Sequence, residues 1–284
     1  MNNGVDLAGH TAQARTRTSE TRSPVWRKFL ISLSGAGVGL VLPVAVLVVW
    51  QIASELGWLS KQLFPTPLAI AQAFGKLAQS GELNDHLTIS LQRVALGFGL
   101  GGALGLLFGI VVGLFRFSEK ALDPTVQMIR MVPHLAVAPL FVLWFGIGET
   151  GKVLLIAKGA FFPLYINTFL GIRGVDNKLF EVTRVLGYNR WKQIIQLVLP
   201  ASLSNVLLGV RLSIGVAWLG LVVVEIMGST SGIGYMMSDA RQFSKTSIVF
   251  VGILIFALLG MITDWLVRLL ERRLLHWKDS FKGE

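Results

Sequence analysis

Six runs of this sequence are long and apolar enough to cross a bilayer, each approaching the roughly 20 residues a membrane-spanning helix needs. They are Gly35–Ile52, Ser90–Phe115, Val126–Ile147, Val153–Ile172, Ser202–Met227 and Ile248–Leu270. Hydrocarbon offers no partner to a free N–H or C=O, so such runs must close their own hydrogen bonds as helices. The expectation is an all-α membrane protein with six transmembrane helices. The third run is interrupted by Arg130, Pro133, His134 and Pro139, which a membrane helix tolerates where neighbours satisfy the freed carbonyls. Composition agrees: 53% of the 284 residues are hydrophobic and 15% charged, too little charge to cover a soluble domain of this size. The first run is longer than a signal-peptide core and has no clear small-residue cleavage site, so it reads as a retained helix. Residues 1–28, rich in Asn, Thr, Ser and Arg, read as a disordered tail, and residues 29–284 as the transmembrane domain.

The basic residues orient the chain. On one side lie Arg15, Arg17, Arg22, Arg27, Lys28, Arg116, Lys120, Arg173, Lys178, Arg184, Arg190, Lys192, Arg268, Arg272, Arg273, Lys278 and Lys282. The other side has Lys61, Lys76, Lys152, Arg241 and Lys245. The positive-inside rule then places both termini in the cytoplasm. The same bias explains the net charge of +10 without nucleic acid. On the outer side, Leu68–Gln79 follows a Pro65-Thr66-Pro67 turn with helical spacing and predicts a short amphipathic helix at the interface. The Gly- and Ser-rich loop Gly228–Thr246 is expected to re-enter or cap the outer mouth.

Two glycine patterns need sorting. Gly97, Gly101, Gly105, Gly109 and Gly113 recur every fourth residue along the second run. On a helix they form a groove without side chains, which lets another helix approach closely. The G-x-G-x-x-G within it lacks the βαβ context of a dinucleotide site. Gly146–Val153 nearly matches a phosphate-binding loop but ends in Val153 where a Ser or Thr would hold Mg²⁺. ATP, if used, must therefore be bound by a partner. There is no cysteine, and the four histidines show no ligand spacing, so no metal site is expected. No pair of carboxylates and no Ser/His/Asp set stands at a catalytic spacing.

Charges inside apolar runs are functional candidates, because burying them in lipid is costly. Arg93 either snorkels to the outer interface or lines a pathway. Arg211, roughly 16 Å beyond Pro200 at 1.5 Å per residue, serves either an ion pair or a pathway. Arg130 sits near the inner end of the third run, Lys158 in the outer third of the fourth and Glu225 near the outer end of the fifth. A transporter driven by an ion gradient usually places a carboxylate near mid-membrane, whereas Glu225 and Asp264 lie nearer the ends.

The loop 173–200 is long for a connection, which suggests a function. Lys178–Leu186 has helical spacing, Gly187 suits a left-handed cap, and Asn189 can cap a second helix through Trp191, Ile194, Ile195 and Val198. Pro200 is expected to end that helix and start the fifth span. An apolar side backed by Arg184, Arg190 and Lys192 suits docking into a groove of a soluble protein. A helix pair lying on anionic lipid is the alternative.

The segment resembles the coupling loop of permeases in binding-protein-dependent ABC importers, E-A-A-x₃-G-x₉-I-x-L-P. Glu181, Gly187, Leu199 and Pro200 fit it, with Val182 and Thr183 in place of the two Ala and Leu197 in place of Ile. The runs Gly81-Glu82-Leu83, Pro133-His134-Leu135-Ala136, Leu143-Trp144-Phe145-Gly146-Ile147, Tyr165-Ile166-Asn167-Thr168, Gly209-Val210-Arg211 and Ser231-Gly232-Ile233-Gly234-Tyr235 resemble the sulfonate/taurine/nitrate branch of that family, and within it the aliphatic sulfonate permeases. The resemblance implies a type I ABC importer permease fold. It implies that Glu181, Val182, Thr183, Arg184, Gly187, Tyr188, Asn189, Arg190 and Trp191 form coupling helices seated in a cleft of the ATPase. It also implies cytoplasmic ATPase subunits carrying ATP and Mg²⁺, a periplasmic solute-binding protein and an inner-membrane location. With one coupling loop per chain, a permease homodimer serves two ATPases.

Overall fold

The computed structural model describes residues 41–275, which are helical throughout their regular elements. The expected tail at residues 1–28, the start of the first run and the basic residues Lys278 and Lys282 lie outside that range. The elements are α1 (Val41–Glu55), α2 (Pro67–Gln79), α3 (Glu82–Leu114), α4 (Arg116–Arg130), a 3₁₀ turn (Leu135–Val137), α5 (Ala138–Phe145), α6 (Glu149–Arg173), α7 (Asn177–Val185), α8 (Arg190–Gln193), a π turn (Ile194–Val198), α9 (Leu199–Gly228), α10 (Ile233–Gln242) and α11 (Thr246–Leu274). Among the described residues, those up to Ile52 and those from Ala53 onward form separate compact units.

Among the described residues, four helices meet the length and hydropathy of a membrane span: α3, α6, α11 and the continuous helix Arg190–Gly228. The bent pair α4 and Leu135–Phe145 supplies a fifth if counted as one span. The described part of the first expected run, Val41–Ile52, lies in the shorter apolar helix α1, and the start of that run lies outside the described residues. The expected third span, Val126–Ile147, is not one helix. It breaks after Arg130 with a bend of 77°. Pro133 supplies no N–H and disfavours helix at the residue before it. α4 itself is a charged amphipathic helix, tied to α6 by Tyr165 Oη donating to Asp123 Oδ1 (2.7 Å) and by the Arg173–Glu119 ion pair.

The centre of the bundle is α3 on α6 on α9. α3 and α6 run parallel, and the glycine ladder sets their separation. A Cβ at Gly97 would lie 2.5 Å from Ile156 Cγ2, one at Gly105 2.5 Å from the Phe161 carbonyl oxygen, and one at Gly109 2.7 Å from Thr168 Cβ. At Gly101 it would meet the Ala157 backbone itself, and at Gly113 it would lie 2.9 Å from Ile172 Cβ. All five glycines are buried. Close backbone approach gives these helices dense packing where lipid supplies no hydrophobic drive. α9 runs antiparallel to α6, with Gly209 against Leu164 and Asn167, and Gly171 against Ser202 and Asn205. Ser213 Oγ donates to the Ala160 carbonyl (2.7 Å), joining the two backbones. Leu155, Ile156, Ala160, Ala217, Trp218 and Leu221 fill the core between them.

Pro200 does not end a helix. The chain continues from α8 through Ile194–Val198 into α9, and Leu199 N–H donates to the Ile194 carbonyl in the wider π pattern. That local widening accommodates Pro200, which has no N–H to offer, without interrupting the rod. Leu68–Gln79 is helical as expected, capped by Thr66 Oγ1 accepting from Ala69 N–H (3.1 Å).

Candidate functional site

Three regions hold the residues singled out by the sequence. The first is the turn between α7 and α8. Asp176 caps α7 by accepting from Lys178 N–H (2.9 Å), and Asn189 caps α8 by accepting from Lys192 N–H (2.8 Å). Between them Gly187 adopts φ 68°, the left-handed conformation. Its N–H donates to the Arg184 carbonyl (3.0 Å) and Tyr188 N–H donates to the Thr183 carbonyl (2.9 Å). This is the double hydrogen bond of a Schellman cap. Thr183, one of the two departures from Ala-Ala, is buried, and its hydroxyl donates to Phe180 O and accepts from Gln193 Nε2 (3.2 Å), tying the two helices together. Lys192 Nζ sits 4.0 Å from the centre of the Tyr188 ring. The outer surface of this rigid corner is apolar: Val185 is 88% exposed, Trp191 73%, and Val182 and Leu186 are also open. Glu181, Arg184 and Arg190 flank them, exposed. The corner thus presents an exposed apolar cluster with a charged rim.

The second region is the end of the bundle where α3 and α6 begin and α9 ends. Arg93 does not snorkel; it is 2% exposed. Its Nε and Nη2 donate to the two oxygens of Glu149, each at 2.7 Å. Nη1 donates to Glu225 Oε1 (2.8 Å) and to the Ser231 carbonyl (2.7 Å). Glu225 is fully buried and also accepts from Ser90 Oγ (2.7 Å) and Gly234 N–H (2.8 Å). Gly232 and Gly234 make this possible, since a side chain at Gly232 would collide with the Glu225 carboxylate. Lys152 adds a further hydrogen bond to Glu149 (3.0 Å). The network stitches α3, α6, α9 and the α9–α10 loop together, and Ile233 N–H donating to Ser90 Oγ (2.9 Å) completes it. Sequence reading found Arg93 and Glu225. It missed Glu149 and Lys152 because they lie in the stretch resembling a phosphate loop, which here is a helix start preceded by α5.

Arg211 is half-buried and reaches across to α11, 3.1 Å from both Asp264 and Glu271. Asp264 in turn accepts from Arg268 (2.7 Å).

The third region is a cavity of about 380 Å³ between the α4–α5 bend, α6 and α9. Arg130, His134 and Lys158 line it with Asn167, and its remaining walls are largely apolar. The His134 ring fits where two glycines leave room: a Cβ at Gly159 or Gly220 would lie 2.8–2.9 Å from it. Both ring nitrogens are buried without a hydrogen-bond partner among the described residues. Sequence reading named Arg130 but did not join it to Lys158 and His134, which only the bend brings together.

These features describe a helical protein with spans long and apolar enough to cross a membrane, packed closely around a cavity, with an exposed apolar corner. The model of the family "Binding-protein-dependent transport system inner membrane component" matches residues 102–276, and the chain belongs to that family. It is 59% identical over 86% of its length, and 89% of the relative's, to SsuC of Bacillus subtilis (strain 168), named as an aliphatic sulfonates transport permease protein. It is 46% identical over 84% of its length to SsuC of Escherichia coli (strain K12), covering 91% of that protein, and 32% identical over 92% to the taurine transport system permease protein TauC of the same strain, covering 94%. Among solved structures, an inward-facing MetNI methionine ABC transporter shares the fold at TM-score 0.51 and 15% identity, over 63% of this chain and 91% of that one.

Proposed function

We propose that this chain is the permease subunit of an ATP-binding-cassette importer that carries aliphatic sulfonates into the cytoplasm. The observation that carries the reading is the α7–α8 corner: a Schellman-capped helix pair presenting Val185, Leu186 and Trp191 to solvent. The names borne by relatives at 59% and 46% identity supply the solute class. In this reading the loop 173–200 seats in a cleft of a cytoplasmic ATPase, with Glu181–Trp191 as the contact and Pro200 within the helix behind it. ATP and Mg²⁺ are bound and used by that ATPase; this chain has no catalytic step of its own. A periplasmic solute-binding protein delivers the sulfonate to a permease homodimer surrounded by membrane lipid. Both termini face the cytoplasm, on the side rich in Lys and Arg. Residues 29–284 form the permease domain, preceded by the tail 1–28. ATP-driven closure of the ATPase pair moves the corner, and the spans alternate between outward and inward access.

Gly187→Val is the test of the docking corner. A β-branched residue resists the left-handed conformation at φ 68°, so the ATPase is expected to stop co-purifying with the permease. Retained ATPase binding in both Gly187→Val and a Glu181 substitution would sink the coupling assignment. For the solute, a strain lacking the gene should lose growth on ethanesulfonate as sole sulfur source and regain it on complementation; growth without the gene or its close copies refutes the sulfonate reading.

A further inference from the structure

We propose that the cavity between the α4–α5 bend, α6 and α9 is a sulfonate-binding subsite on the transport route, with Arg130 and Lys158 holding the anionic head. The proposal rests on the sulfonate-importer reading above and adds where the solute is held within the permease. Three observations carry it.

The first is charge. Cations on the long helices α3, α6, α9 and α11 find carboxylates: Arg93 has Glu149 and Glu225, Lys152 has Glu149, Arg211 has Asp264 and Glu271, and Arg268 has Asp264. Among the described residues, Arg130 and Lys158 have no carboxylate partner. Lys158 Nζ lies 5.8 Å from the centre of the Phe162 ring. It stands roughly 13 Å along α6 from Glu149 at 1.5 Å per residue, well inside the span. A cation held at that depth without a counter-ion must be solvated by water in a cavity or by a transported anion.

The second is the wall. The cavity has no acidic residue in its lining, while Phe162, Leu212 and Val216 give it apolar sides. Cationic groups beside an apolar wall match a solute with an anionic head and an alkyl chain. The volume sits near the lower end of small-molecule sites, roughly 300–1,000 Å³.

The third is His134. Its two ring nitrogens are buried and unpartnered among the described residues, although buried polar atoms are ordinarily hydrogen-bonded. They are closed off from the cavity in this conformation, so a solute oxygen or a water reaches them only when the ring turns. The ring also wedges the bend against Gly159 and Gly220, so occupation of the cavity bears directly on how the broken span sits between α6 and α9.

The shared chemistry, an anionic oxygen head on an apolar tail, also belongs to an acidic lipid, and the test separates the two. The chain contains no cysteine, so Asn167→Cys places one thiol on the cavity wall in the otherwise native permease–ATPase complex. The thiol is titrated with 2-sulfonatoethyl methanethiosulfonate and with its trimethylammonium counterpart, in nanodiscs of phosphatidylcholine. Each reagent forms a mixed disulfide and releases methanesulfinate, read as added mass on the permease. A cleft focusing positive potential should favour the anionic reagent by about tenfold. Excess ethanesulfonate should slow that reaction, and the preference should fall to within about twofold in an Arg130→Gln/Lys158→Gln background. No anionic preference, or one that survives the double substitution, overturns the subsite. Protection by added phosphatidylglycerol but not by ethanesulfonate assigns the cavity to lipid and likewise overturns it. Should Asn167→Cys fail to assemble with the ATPase, Leu212→Cys carries the same measurement from the α9 wall. ATP-driven ethanesulfonate uptake by the unsubstituted importer is measured in parallel. Its absence refutes the sulfonate-importer reading, whereas uptake without labelling preference refutes the subsite alone.

Discussion

Arg93 and Lys158 are both cations set into apolar helices, and the fold treats them in opposite ways. Around Arg93 every nitrogen is engaged: two carboxylates, a hydroxyl and a backbone carbonyl converge on it from α6, α9 and the α9–α10 loop. Around Lys158 there is space, an aromatic ring and two more basic side chains. The first arrangement neutralises charge and fixes geometry. The second leaves positive charge unspent in a cavity. The charges of Arg93 and Glu225 are matched within the network and tie α3, α6 and α9 together, whereas those around the cavity have no such match.

That contrast can be broken by experiment. The largest expected effect is from Glu225→Ala, which leaves Arg93 buried with a single carboxylate and strands Ser90 and Gly234 N–H. Removing one partner of a buried pair costs about 3–5 kcal/mol. The readout is the apparent unfolding midpoint in detergent, together with the yield of folded permease; an unchanged midpoint would remove the Arg93 network as a keystone. Next comes Gly101→Val, whose side chain meets the Ala157 backbone. Overpacking of this sort costs about 1–3 kcal/mol, and the same unfolding assay should register it, whereas Gly99→Val, on the open side of α3, should leave the midpoint nearly in place. Arg211→Gln is expected to lower the midpoint by less than Gly101→Val, because its pairs with α11 are partly solvated. The smallest effect on stability, and one of opposite sign, is expected from Lys158→Met: removal of an uncompensated cation should leave stability unchanged or raise it by up to about 1 kcal/mol, read as an unchanged or higher midpoint, while lowering ethanesulfonate uptake. If Lys158→Met destabilises as Glu225→Ala does, the two regions are alike and the distinction fails.

Much of this layout is written in local sequence. The long helices follow from apolar runs, and the α3 groove from glycines at a helical repeat, because both depend on near neighbours along the chain. The corner at Gly187 is legible for the same reason: a left-handed cap and an Asn N-cap are decided within a few residues. What sequence does not carry is which distant charges meet. Arg93 finds Glu149 and Glu225 only through helix packing, and Glu149 is disguised by the glycines around it. The break after Arg130 is foreshadowed by Pro133, but its 77° angle is set by how α4 and α5 seat against α6, and that angle is what gathers Arg130, His134 and Lys158. Pro200 misleads in the other direction, since a proline that usually stops a helix is absorbed by one π turn.

That π turn has a mechanical consequence. Arg190–Gly228 is a single helix of 39 residues, about 58 Å long at 1.5 Å per residue, with Trp191 at one tip and Glu225 near the other. A rod of this kind transmits torque and axial thrust along its whole length, past Leu212, Val216 and Gly220, which border the cavity and the His134 ring. Ile194–Val198 is the segment where its hydrogen-bond ladder departs from the α pattern, just behind the α7–α8 corner. Strain imposed at Trp191 is thus either relieved at that joint or delivered intact to the helices beyond it, and the elasticity of five residues sets the division.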